Sequence, residues 1–193
     1  MKFVVGITGS ISVYKACSLV SFLSKNHEVK VIMTKNATEF VSPLTFETLS
    51  KKKVIVEMFD EKEIEGIVSH IYYAQEYDGI IVAPATANII AKVNSGIADD
   101  MLSSTILASN KPVIFVPAMN SYMYENKITQ RNISSLKNLG YYFVEPDSGM
   151  LACGVEGVGK YPKMDKILDK LEEIYGEKIW ILDTLEINLK KKF

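Results

Sequence analysis

Gly79-Ile-Ile-Val-Ala83 is an apolar run of strand length that stops abruptly at Pro84-Ala-Thr-Ala-Asn88. A run this short and this apolar reads as a strand buried on both faces, and such strands belong to parallel sheets covered by helices. Asn94 to Asp100 follows as a polar stretch, and Met101 to Ala108 reads as a helix. Polar side chains and backbone donors therefore gather beyond the carboxyl end of a buried strand. Open α/β sheets bind ligands there. The same residues also suit a tight strand-to-helix turn capped by Asn88.

The rest of the chain repeats this alternation. Phe3 to Thr8, Glu28 to Met33, Val113 to Val116 and Tyr141 to Val144 read as strands. Between them lie helical periods: Val13, Cys17, Val20 and Leu23; a segment from Asn36 to Leu49 interrupted near Pro43; and one helix from Tyr122 to Leu139. Val54 to Phe59 reads as extended, Asp60 to Ile67 as a charged loop, and His27 as a solvent-facing turn residue without chemistry. Met164 to Tyr175 is amphipathic and Gly176 ends it. The expected fold class is α/β: a doubly wound (Rossmann-like) parallel sheet flanked by helices, in a single domain over residues 1–176. Residues 177–193 alternate apolar and charged side chains and are expected to pack on the domain or on a neighbouring subunit.

Strand ends narrow the ligand. A nicotinamide dinucleotide fold wants a glycine fingerprint after strand one and an acid closing strand two. Gly6 and Gly9 do not fit that spacing, and strand two ends in Thr34-Lys35, where a hydroxyl suits a phosphate. Pro117-Ala-Met-Asn120 is a second strand end that finishes in Pro-Ala and reaches an asparagine. Two amides near one crevice can donate to a carboxylate or accept from a ring N–H, although turn chemistry also uses asparagine.

A net charge of -1 offers no field for nucleic acid or a membrane surface. No apolar run is long enough to span a bilayer, and Gly6, Thr8 and Gly9 interrupt the amino-terminal run before it makes a signal peptide, so a cytoplasmic protein is expected. The two cysteines, Cys17 and Cys153, make neither a disulfide framework nor a metal cluster. Cys17 falls on an apolar helix face, as packing. Cys153 falls in a stretch with four glycines between Gly149 and Gly159, read as a mobile loop, where access or packing can explain it. His70, at a helix start between apolar neighbours, suits a structural or a catalytic role.

Four motifs, in order, carry a resemblance: Gly9-Ser-Ile-Ser-Val-Tyr-Lys15, Pro84-Ala-Thr-Ala-Asn88, Pro117-Ala-Met-Asn120, and Gly149-Met-Leu-Ala-Cys-Gly154 with Gly157-Val-Gly159. With Ser69-His70, they make residues 1 to about 175 resemble the homo-oligomeric flavin-containing cysteine decarboxylases. The resemblance implies FMN bound at trimer interfaces, with trimers able to assemble into a dodecamer. It implies that Gly9, Ser10 and Ile11 lie against the flavin or its phosphate arm, that Thr34 lies near the phosphate, that Ala87 and Asn88 lie by the ring system, and that Ser104 is a further candidate contact. His70 acts across the interface, Asn120 binds the substrate carboxylate, and Met119, Ala152 and Lys160 line the pocket. Cys153 returns a proton from a substrate clamp.

Within the family the motifs resemble most closely the branch that converts 4'-phosphopantothenoylcysteine to 4'-phosphopantetheine for coenzyme A. An acylated cysteine cannot form the imine that pyridoxal chemistry needs. The family instead oxidises the thiol carbon to a thioaldehyde, loses CO2, and re-reduces the enethiolate. Thr86, Ile89, Tyr124 and Lys160 depart from the residues common at those positions, and Lys160 lacks the fork of an arginine. No synthetase domain follows, so a free-standing decarboxylase served by a separate phosphopantothenoylcysteine synthetase is expected. The rivals are a peptidyl-cysteine oxidative decarboxylase, a flavin prenyltransferase, and a non-catalytic flavoprotein that binds a phosphatase. The cysteine clamp and Pro117-Ala-Met-Asn120 disfavour the first two; turnover separates the third.

Overall fold

A computed structural model describes residues 1–61, 63–150, 154 and 156–176. In chain order these form β1 (Lys2–Ile7), α1 (Val13–Leu23), β2 (Glu28–Met33), a 3-10 turn (Lys35–Ala37), α2 (Pro43–Ser50), β3 (Glu63–Ile64) and β4 (Ile67–Val68). Then come α3 (Ser69–Glu76), β5 (Gly79–Ala85), α4 (Ala87–Asn94), α5 (Met101–Ala108), β6 (Val113–Pro117), α6 (Ser121–Glu125) and α7 (Lys127–Asn138). β7 (Tyr142–Phe143), β8 (Asp147–Met150), β9 (Glu156–Lys160) and α8 (Met164–Tyr175) follow.

The central sheet runs β2-β1-β5-β6-β7 with every neighbouring pair parallel, as the apolar runs predict. Successive strand residues point to opposite faces. Val4, Ile32, Ile80, Val82 and Phe115 meet α3, α4, α5 and α7 in one core. The intervening Val5, Val31, Ile81 and Ile114 are buried on the other face, where α1 buries Val13, Leu19, Val20 and Leu23. Parallel neighbours need crossover connections of one hand. β1 leads outward to β2, and the chain then crosses back over β1 to β5. The order reverses between β1 and β5, and their carboxyl ends open a crevice there.

Several local expectations change. Thr86, not Asn88, caps α4, accepting from the Ile89 N–H at 3.4 Å. The helix expected from Tyr122 to Leu139 is two, because the Asn126 backbone is extended and its side chain accepts from Ile128 N–H at 2.9 Å, starting α7 afresh. Asp60–Ile67 is not wholly a loop: β3 and β4 pair antiparallel about Glu65-Gly66, both at positive φ as a two-residue hairpin turn requires. Ile55 does lie extended, bridged to Ile32. His27 is half-buried, its ring edge-on to Phe3 at 5.5 Å, rather than free in solvent. In the glycine-rich stretch the described residues form two antiparallel strands, β8 against β9, with Gly149 opposite Gly157. α8, in the second compact unit of the chain, is amphipathic as expected. The expectations on residues 177–193 lie outside the described residues.

Candidate active site

Hydrogen bonds lace the strand ends at the crevice into one rim. Thr8, directly after β1, donates its hydroxyl to the Pro84 carbonyl at 2.7 Å and accepts from the Thr86 N–H at 3.1 Å. Ser10 Oγ donates to the Ala118 carbonyl at 3.3 Å, and Ala118 N–H donates to the Ala85 carbonyl at 3.2 Å. Met119 N–H donates to the Gly159 carbonyl at 3.0 Å, joining β9 to the end of β6. These bonds fix the mutual positions of residues from all four sequence motifs.

Above the rim lies a cleft of about 800 Å³. Gly9 to Ser12 form its floor beside Thr86; Ala118, Met119 and Asn120 form one wall, and Gly159 to Tyr161 another. Phe40, Met123 and Met150 give it an apolar lip. Its charged side chains are Lys15 and Lys160, and no carboxylate lines it among the described residues. The cleft is therefore electropositive and suits an anionic ligand with an apolar body.

Backbone geometry favours a phosphate on the floor. The Gly9 and Ile11 N–H groups have no hydrogen-bond partner among the described residues, and they precede the amino terminus of α1. A Cβ on Gly9 would lie 2.7 Å from Asn36 Cβ, so only glycine lets this turn close onto the segment after β2. Thr34 lies in that segment, its N–H on the Ile7 carbonyl at 2.9 Å, which sets it beside the end of β1.

The other expected site residues are placed as follows. Asn120 caps α6, its Oδ1 accepting from Tyr122 N–H at 2.9 Å, and its side chain lines the cleft with Met119 and Lys160. Ala87 and Asn88 open α4 just past the cleft, with Asn88 exposed. Ser104 is buried in α5, donating to the Ala98 carbonyl at 3.3 Å, and is not among the residues lining the cleft. His70 opens α3, half-buried and outside the cleft lining, with no partner for Nδ1 among the described residues. Ala152 and Cys153 lie outside the described residues. Sequence reasoning missed Phe40, Met123, Met150 and Tyr161. Tyr14, Lys15 and Met150 sat inside quoted motifs and could have been assigned from them; Phe40, Met123 and Tyr161 reach the cleft only through tertiary folding.

Gly159 is a tight joint in the site. Its φ is 122°, and a Cβ there would lie 2.3 Å from the Met119 carbonyl oxygen. Gly159→Ala should cost about 3 kcal/mol or more, since strain and backbone overlap add. Urea unfolding checks this: a midpoint equal to wild type would show that β9 is not seated on Met119.

Among the described residues no helix is long and apolar enough to cross a membrane, and no cluster of three metal-ligating side chains occurs. A family model described as Flavoprotein matches residues 1–176. The chain belongs to the flavoprotein family. This flavoprotein is 48% identical over 172 residues to the coenzyme A biosynthesis bifunctional protein CoaBC of Bacillus subtilis, covering 89% of the chain and 42% of that relative. It is 41% identical over 175 residues to a probable phosphopantothenoylcysteine decarboxylase of Streptococcus mutans, covering 89% of the chain and 97% of that relative. It thus spans under half the length of its bifunctional relatives and nearly all of the shorter one. A solved cysteine-to-serine mutant of a PPC decarboxylase, complexed with pantothenoylaminoethenethiol, matches this flavoprotein with a TM-score of 0.80 at 26% identity, covering 91% of the chain and 98% of the other.

Proposed function

We propose that this flavoprotein decarboxylates 4'-phosphopantothenoylcysteine to 4'-phosphopantetheine in coenzyme A biosynthesis, with FMN as its cofactor. The observation that carries the reading is the cleft at the sheet's reversal point, where Gly9–Ser12, Asn120 and Lys160 converge and the charges are positive. Both FMN and the substrate are phosphate esters, and the substrate adds a carboxylate. The named relatives favour this substrate over a peptide.

Gly9, Ser10, Ile11 and Thr34 hold the phosphate arm of FMN at the α1 amino terminus, where free N–H groups and the helix dipole contribute about 0.3–1 kcal/mol for an anion. Ala87, Asn88 and Ser104 bound the ring system. When bound, FMN supplies the hydride exchange at the substrate's thiol carbon. Asn120 holds the carboxylate by its amide N–H and adds no charge to repel it. Met119 and Ala152 confine the reacting end, and Lys160 draws in substrate anions. Cys153 returns a proton to carbon after CO2 has left. The enethiol held by the cysteine-to-serine relative supports that last role.

His70 serves the cleft of a neighbouring subunit in a homotrimer, which can assemble further to a dodecamer. Its position outside its own chain's cleft lining supports this arrangement. The same reading makes the protein a cytoplasmic enzyme that takes its substrate from phosphopantothenoylcysteine synthetase. Size-exclusion chromatography with light scattering should give a yellow trimer or a multiple of one. Denaturing that peak should release one FMN per subunit, identified by mass. A colourless peak, FAD, or a fully active monomer would overturn the reading.

A further inference from the structure

α3 has no side-chain cap at its start. Its N-cap position is Val68, which offers no acceptor for the first N–H groups. The helix is gripped along one stripe instead: Ser69, Tyr73 and Tyr77, spaced four apart and all buried. Ser69 Oγ faces Met101 Sδ at 4.0 Å, and the Tyr73 and Tyr77 rings meet edge-on at 5.2 Å.

Each tyrosine ends on a carboxylate that a lysine holds in turn. Tyr73 donates to Glu61 at 2.5 Å, and Lys30 donates to the same Glu61 oxygen at 3.0 Å. Tyr77 donates to Glu28 at 2.9 Å, and Lys52 donates to that oxygen at 2.6 Å. Lys30 stands inside β2 at 4% exposure, with its ammonium also 5.0 Å from the Tyr73 ring centroid. A lysine so buried is tolerated only when fully partnered, and such groups serve specificity of arrangement more than stability. Burial pushes the Glu61 carboxyl up, but its bonds to Tyr73 and Lys30 outweigh this and hold it below the ordinary range. It is a fixed anion between two donors.

Glu61 stands just before β3, and β3 and β4 feed straight into α3. The Tyr73–Glu61 bond therefore closes a circuit across a separation of twelve residues. The paired Glu63–Val68 and Ile64–Ile67 lie inside it, and so does His70. Nothing bonds His70 Nδ1 among the described residues, so the ring takes its place from the helix rather than from a partner there. On a helix, fixing the stripe at Ser69 and Tyr73 fixes the direction of the next residue, His70, about 100° on.

We propose that Lys30, Glu61 and Tyr73 are positioning residues for His70: the closed circuit sets the rotation and axial register of α3 and so the place at which the imidazole is presented. This rests on the reading of His70 as a group that acts in the reaction. The Tyr77–Glu28–Lys52 set secures the far end of the helix and leaves that circuit untouched.

Tyr73→Phe and Tyr77→Phe test this together, because each removes one hydroxyl from a comparable partly buried bond and keeps its ring. Both should lose a similar amount of melting temperature. In the FMN-loaded protein, Tyr73→Phe should lower kcat for CO2 release about tenfold or more with KM and FMN content little changed, since small misplacements of a reacting group are costly. Tyr77→Phe should stay near wild type in kcat. The chain has two histidines, so ring NMR resonances are readily assigned; the His70 signals should move in Tyr73→Phe only, and those of His27 in neither. Equal effects of the two variants on kcat, or unmoved His70 resonances in Tyr73→Phe, would overturn the proposal. His70→Ala separates the two claims. Normal turnover there removes the role given to His70, while the NMR comparison still decides whether Tyr73 positions its ring.

Discussion

Cys153→Ser is expected to release CO2 from 4'-phosphopantothenoylcysteine and to yield a product two hydrogens lighter than 4'-phosphopantetheine. Oxidation and CO2 loss call on the flavin, His70 and the carboxylate contact at Asn120, none of which needs a thiol at position 153. Return to a saturated thiol needs a hydride and a proton at carbon. A thiol with a pKa of about 8.5 can give that proton near neutral pH, whereas a serine hydroxyl is a far weaker acid. Mass spectrometry of the product reads the difference directly. Ordinary saturated product from the variant would make Cys153 a packing residue. Equal slowing of CO2 release and product formation would make it a clamp without proton chemistry. Either result removes the proposed role.

Asn120→Asp is expected to lower decarboxylation by about a hundredfold or more while FMN stays bound. The structure makes this substitution unusually clean. Asn120 Oδ1 caps α6 by accepting from Tyr122 N–H, and aspartate caps a helix as well as asparagine does. The local backbone should therefore survive. The change replaces an amide donor with an anion facing the substrate carboxylate. A hydrogen bond to a charged group contributes roughly 1.5–3 kcal/mol, and like charges at short range in a cleft add repulsion. Turnover near wild type, with flavin content and melting temperature unchanged, would assign Asn120 to the turn alone.

The sheet was legible because buried parallel strands leave continuous apolar runs such as Gly79–Ala83, and its helices leave a period that neighbours cannot imitate. The errors share a cause. Where one residue supplies a hydrogen bond, sequence pattern offers several candidates and packing chooses. Thr86 and Asn88 were both able to cap α4, and the extended backbone of Thr86 decided it. Asn126 looked like one more polar residue on a helix, yet its side chain begins a new one. The glycines from Gly149 to Gly159 suggested freedom, but Gly159 is there because Met119 leaves no room for a Cβ. At the site, the motifs marked the turns at the ends of β1, β5 and β6. They could not mark Phe40 or Tyr161, which reach the cleft through folding alone.

The borders of the sheet bear on how copies of the chain can meet. Ile55 occupies part of the outer side of β2, exchanging bonds with Val31 and Met33 at 3.1 and 2.8 Å. At the opposite border β7 is only Tyr142–Phe143. Among the described residues, neither flank presents a long row of unpaired peptide groups, which is what a second molecule would need to prolong the ladder. Runaway ribbons are thereby discouraged, and association between copies falls to side chains on faces. Closed rings can be built that way, with a contact that is specific in orientation and stops after a fixed number of copies.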